Sequence, residues 1–73
     1  MKQNILLIDD DDSFRMLLAI RIRGILDQPT IIECNSLDSA RKFLVANKDD
    51  LDLVILDEHL SDGRGIEFLG EGW

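Results

Sequence analysis

The sequence predicts an α/β fold built on a parallel sheet. Two uninterrupted apolar runs, Ile5-Leu6-Leu7-Ile8 and Leu53-Val54-Ile55-Leu56, and a shorter one at Thr30-Ile31-Ile32-Glu33-Cys34 alternate with two stretches of helical periodicity. Short apolar runs without polar alternation are the pattern of strands buried on both faces, which parallel sheets require. A β-α-β-α-β order then packs its crossover helices onto that sheet.

The first strand spans about residues 4–9 and ends in four carboxylates, Asp9 to Asp12. A helix over about 13–26 follows, because Phe14, Leu18, Ile22 and Ile25 fall on one stripe flanked by Leu17 and Leu26. Asp11 or Asp12 can cap it, acidic residues suit its positive end, and Gln28-Pro29 stops it. The second strand covers about 30–34. Ser36 reads as the N-cap of a second helix over about 37–47, with Ala40, Phe43 and Leu44 on its inner face. After a polar stretch at Asn47 to Asp50, the third strand runs from about 52 to 57. Ser61-Asp62-Gly63-Arg64-Gly65 reads as a loop of turn formers, and a partial third helix occupies about 65–69.

Seventy-three residues allow one small domain, residues 1–73. A core of that size rarely supplies more than about 3–5 kcal/mol. Self-association, a bound ion or a partner chain is therefore the expected support. Cys34 has no second cysteine to bridge to, and with the lone His59 it makes a poor zinc set. Eight basic residues against fifteen acidic ones give a net charge of −7, which disfavours nucleic acid phosphates and anionic lipid as partners. No run approaches the roughly 20 apolar residues of a membrane span. The opening Met1-Lys2-Gln3-Asn4, with only four apolar residues before the aspartates, lacks the form of a secretory signal. The expected setting is the reducing cytoplasm.

Right-handed crossovers tie the direction of each strand step to the face its helix covers. If the chain steps outward to the second strand and back across the first to the third, the helices lie on opposite faces. Strands one and three are then neighbours where the strand order reverses, the place where open α/β sheets bind ligands. Asp9 and Asp10 end one of these strands and Asp57 ends the other. Carboxylates gathered in one crevice repel one another, and protonation or a hard cation with oxygen ligands relieves the repulsion. Magnesium suits such a set, and a screened carboxylate can act as a nucleophile toward phosphorus. The plainer reading makes Asp9 to Asp12 a helix cap plus a solvated charge run. A calcium loop of the EF-hand type fails, since Phe14 and Arg15 stand where a ligand or the turn glycine belongs.

The segment Ile5 to Arg15, with its Asp9-Asp10 pair, resembles the opening of a response-regulator receiver domain. The segment Asp52 to Gly65 resembles the surroundings of that family's phosphorylated aspartate. The resemblance runs from about Lys2 to Leu69. It implies a flavodoxin-like fold in strand order 2-1-3 with helices on both faces, truncated after the third strand. It further implies Asp57 as phosphoryl acceptor from a histidine kinase or phosphotransfer protein in a two-component relay, rather than an enzyme in the usual sense. Mg2+ would be bound by Asp10, by Asp57 and by the His59 main-chain carbonyl, with Asp9 helping through water. Ser61 stands where the family usually has proline. The family's hydroxyl residue and lysine after its later strands have no counterpart, and Lys42 and Lys48 match neither.

An unpaired apolar edge on the third strand is a template for another chain. The expectation is a homodimer, or a partner that covers this edge. The alternative function is a phosphorylation-incompetent half-receiver that serves as a self-assembling interaction module. Met16 and Ile20 form an outward apolar pair on the first helix, while Arg15, Arg21 and Arg23 read as its solvated face. The His59 side chain reads as a solvated loop group rather than a metal ligand.

Overall fold

The computed structural model describes residues 2–73; Met1, the first residue of the expected domain, lies outside them. Along the chain come β1 (Asn4–Ile8), α1 (Asp12–Ile25), β2 (Thr30–Cys34) and α2 (Leu37–Asn47). A short 3-10 turn (Lys48–Asp50), β3 (Leu53–Leu56), β4 (His59–Leu60), β5 (Gly63–Arg64) and α3 (Gly65–Leu69) follow. The first three strands form one parallel sheet in the order β2-β1-β3, the α/β arrangement expected from the sequence.

The central strand explains that order. Ile5 to Ile8 are all buried, and β1 pairs on both sides: Ile5 stands opposite Ile31 and Leu53, and Ile8 opposite Cys34 and Leu56. Each such side chain contributes about 1.5–3 kcal/mol on burial, so a strand with four of them is driven to the middle. Successive side chains of a strand point to opposite faces. Leu6 and Ile8 join Cys34, Leu37, Ala40, Leu44 and Phe68 in the main core, on the face covered by α2 and α3. Ile5 and Leu7 point to the other face, where α1 buries Ala19 and Ile22.

Three expectations need correction. Only the middle of the stripe Phe14, Leu18, Ile22 and Ile25 faces inward: Ile22 is buried and Leu18 half-buried, whereas Phe14 is 52% and Ile25 79% exposed. With only three strands beneath it, α1 rests on the line through Ala19 and Ile22. Leu26 is half-buried as well, while Met16, Leu17 and Ile20 stay exposed. Second, the stretch Ser61 to Gly65 is not simply a loop. β4 and β5 pair antiparallel across a two-residue turn at Ser61-Asp62, with His59 opposite Arg64 and Leu60 opposite Gly63. Third, Arg15 does not belong to a solvated face: its side chain is only 13% exposed.

Caps and ties hold the frame. The Asp11 carboxylate accepts from the Phe14 N–H at 3.0 Å, so Asp11 rather than Asp12 caps α1. Ser36 accepts from the Ser39 N–H at 3.1 Å and caps α2. At the base of the sheet, the Asp52 carboxylate accepts from the Asn4 N–H at 2.7 Å, while the Asp52 N–H donates to the Asn4 carbonyl at 2.9 Å. No described helix is long and apolar enough to cross a membrane.

β3 pairs with β1 alone among the described residues, leaving its outer edge without a neighbour. Its side chains reflect this. Leu53 is 49% and Val54 39% exposed, values foreign to the middle of a parallel sheet.

Candidate functional site

β1 and β3 run side by side in the same direction, so the residues that follow them emerge at the same end of the sheet. The Asp9 N–H donates to the Cys34 carbonyl, and the Asp57 N–H donates to the Ile8 carbonyl, each at 3.0 Å. These bonds extend the ladder one residue past each strand and fix where the carboxylates leave it. As a result one carboxylate oxygen from each of Asp9, Asp10 and Asp57 lies within 4.8 Å of the others. Forty-seven positions separate Asp10 from Asp57, and the topology closes that distance.

The three differ in environment. Asp9 is only 7% exposed, Asp57 is half-buried and Asp10 is open to solvent. The Asp9 side chain accepts from the Asp11 N–H at 2.9 Å, which aims its carboxylate along the start of α1. Negative charge at a helix N-terminus is favourable, and this offsets part of the repulsion within the triad. His59 sits two residues beyond Asp57, at the start of β4, with its side chain exposed.

Arg15 is the neighbour that sequence reasoning misplaced. Its guanidinium donates to the Asp9 carbonyl at 2.6 Å and reaches Asp12 at 2.7 Å and Glu33 at 3.0 Å, leaving the side chain 13% exposed. It braces the backbone of Asp9 rather than facing water. The signal was Glu33 at the end of the second strand, but pairing it with Arg15 requires knowing that β2 adjoins β1.

The segment after Asp57 folds back on itself. The Gly65 N–H donates to the Glu58 carbonyl at 2.9 Å. Glu58 accepts from Arg64 at 2.6 and 3.0 Å and from the Ile66 N–H at 2.7 Å. The Ile66 N–H and the Arg64 guanidinium hold the Glu58 carboxyl below its ordinary range. Gly65 lies so close to Asp57 that a Cβ there would stand 2.6 Å from the Asp57 carbonyl oxygen. Asp62 reaches α2: its carboxylate accepts from the Leu37 and Asp38 N–H groups at 2.9 Å each, and those bonds pull its carboxyl below the usual aspartate value.

The two-component response regulator ARR2 of Arabidopsis thaliana is 35% identical to the chain over 65 residues. Over these residues the chain is homologous to that response regulator. The matched stretch is 89% of this chain and 10% of that protein, so the chain spans about a tenth of its relative's length. No family model matches the chain. The parallel sheet in order β2-β1-β3 is the arrangement of a flavodoxin-like receiver fragment. The Asp9, Asp10 and Asp57 cluster offers an all-oxygen donor set that could bind a metal ion.

Proposed function

We propose that residues 1–73 act as one receiver domain whose Asp57 accepts a phosphoryl group in a two-component relay, with Mg2+ as cofactor, in the cytoplasm. The donor in this reading is a histidine kinase or phosphotransfer protein. The observation that carries it is the convergence of Asp9, Asp10 and Asp57 at the end of β1 and β3. Three hard oxygen donors, one of them open to water, fit a small divalent cation that keeps part of its hydration shell. Asp10 and Asp57 would hold the ion directly, the His59 main-chain carbonyl would add a ligand, and Asp9 would act through water. When bound, Mg2+ would neutralise charge that builds up on the phosphoryl oxygens.

The protein's own part in the transfer is simple. An Asp57 oxygen attacks phosphorus in line with the leaving imidazole, an O–P bond forms and the P–N bond breaks. The electron pair returns to the ring nitrogen, which takes up a proton. Asp9, fixed by the Asp11 N–H and braced through Arg15, keeps its place while the charge on Asp57 changes.

Incubation with a small phosphodonor and Mg2+ tests the reading. The expected result is a mass gain of one phosphoryl group, stable in acid, labile in base and absent from Asp57→Asn. No gain with any donor removes the acceptor role. Mg2+ binding should weaken strongly in Asp10→Asn, and an unchanged affinity removes Asp10 from the ligand set.

The exposed Leu53 and Val54 on the free edge of β3 favour a second reading, a self-assembling interaction module without phosphoryl chemistry. Two copies related by a two-fold axis would pair β3 with β3 antiparallel and form a six-stranded sheet. Light scattering discriminates: a folded monomer at micromolar concentration sinks this reading and leaves the first untouched.

A further inference from the structure

The hairpin β4–β5 follows directly on Asp57; Leu60 packs against the main core, and hydrogen bonds from the hairpin to the rest of the fold are few. Among the described residues, the Glu58, Arg64, Gly65 and Ile66 bonds are internal to the segment. Among the described residues, Asp62 alone ties residues 58–64 by hydrogen bond to a part of the fold other than α3, through the first two amides of α2. The arrangement at α2 is complete: Asp62 serves Leu37 and Asp38, Ser36 serves Ser39, and the Ala40 N–H already reaches the Ser36 carbonyl at 3.2 Å. The free donors of the first helical turn are thus shared between a local residue and one 24–25 positions away.

A second contact supports the same docking. Gly63, at φ +151°, lies so near α2 that a Cβ there would stand 2.9 Å from Leu37 Cδ1. A chain of contacts therefore runs from the amides of α2 through Asp62 to the hairpin. It continues through Gly65 to the Asp57 carbonyl, against which Gly65 packs with no room for a methyl group.

We propose that Asp62 is a positioning residue for the Asp57 site. By clamping the hairpin to the first turn of α2, it holds Asp57 within reach of Asp9 and Asp10 and couples occupancy of the triad to the start of α2. The inference rests on the reading of the triad as a divalent-cation site, and on the His59 carbonyl belonging to that site through the same hairpin. Coupling of this kind is reciprocal: whatever fixes Asp57 also firms the clamp.

The test uses the full chain, Mg2+ as probe, calorimetric titration and amide hydrogen exchange. In the wild type, Mg2+ should slow exchange at Leu37 and Asp38. Asp62→Ala should weaken Mg2+ binding roughly five- to tenfold and abolish that slowing, and Asp62→Asn, which keeps one acceptor, should fall between. Ser36→Ala is the control for a merely structural role, because it loosens the same helix end without touching the hairpin. It should leave Mg2+ affinity unchanged. Equal affinity in Asp62→Ala and the wild type, or an equal loss in Ser36→Ala, overturns the proposal. If the wild type binds no Mg2+, the cation reading itself fails. The clamp is then judged without metal, by the Gly65 amide: faster exchange in Asp62→Ala upholds it and unchanged exchange overturns it.

Discussion

Replacing Gly65 by alanine sets two physical effects against each other, and the structure says which wins. Gly65 is the first residue of α3, so helix propensity alone credits alanine with up to about 1 kcal/mol. The added Cβ, however, would stand 2.6 Å from the Asp57 carbonyl oxygen, 3.1 Å from Leu56 Cγ and 3.2 Å from Glu58 Cα. Ordinary contact begins near 3.4 Å, so backbone must give by 3.4 − 2.6 = 0.8 Å, and two of the three obstacles are backbone atoms that cannot swing aside. Overpacking of this kind costs about 1–3 kcal/mol. The net expectation for Gly65→Ala is a loss of about 1–2 kcal/mol, a large share of what a core this small supplies. Because the displaced atom belongs to Asp57, Mg2+ affinity should fall with stability. Urea unfolding should show a lower midpoint at unchanged slope, and titration should show weaker binding. A variant as stable as the wild type that binds Mg2+ equally well would refute the argument that this close approach positions Asp57.

Other perturbations have equally definite outcomes. Without metal, Asp10→Asn should raise the melting temperature by removing one of three mutually repelling charges, and it should lose most of the Mg2+-induced rise, which at 100 times Kd corresponds to about 2.7 kcal/mol in the wild type. Arg15→Ala should cost about 1 kcal/mol, chiefly through the bond to the Asp9 carbonyl, since Asp12 is mostly exposed and screened; Arg15→Lys should recover only part of it, as the fork geometry is lost. The Asp62 carboxyl, held down by the Leu37 and Asp38 N–H groups, and the Glu71 carboxyl, held down by Arg41, both bind protons less readily in the folded state. Their contribution is complete above the ordinary values of 3.8 and 4.5 and is lost as pH falls through the lower folded ones. Chemical unfolding between neutral pH and pH 3 should therefore show a decline that is shallower in Asp62→Asn.

The sheet was legible because β1 and β3 are uninterrupted apolar runs, each followed by a carboxylate. Ile5 to Ile8 read as a strand buried on both faces, and the meeting of the carboxylates after it and after Leu56 follows from the parallel order. The face of α1 was not legible. Its apolar residues cover more than half the helix circumference, so periodicity alone could not tell the line through Ala19 and Ile22 from the line through Phe14 and Ile25. The hairpin left a trace, turn formers between Leu60 and Arg64, but strands of two residues are too short to show a period. Asp62 and Arg15 lay beyond reach for another reason. Their partners, Leu37 and Asp38 for one and Glu33 for the other, are 18 to 25 positions distant, and only the assembled fold brings them together.

The central position of β1 has a consequence for synthesis. Its residues leave the ribosome before those of both partner strands, so the strand gains one neighbour only when Thr30 to Cys34 have emerged and the other only when Leu53 to Leu56 have. Until then four greasy side chains and both ladders of amides are open to any passing chain. Nascent protein must spend that interval either guarded by a chaperone or at risk of sticking to its siblings.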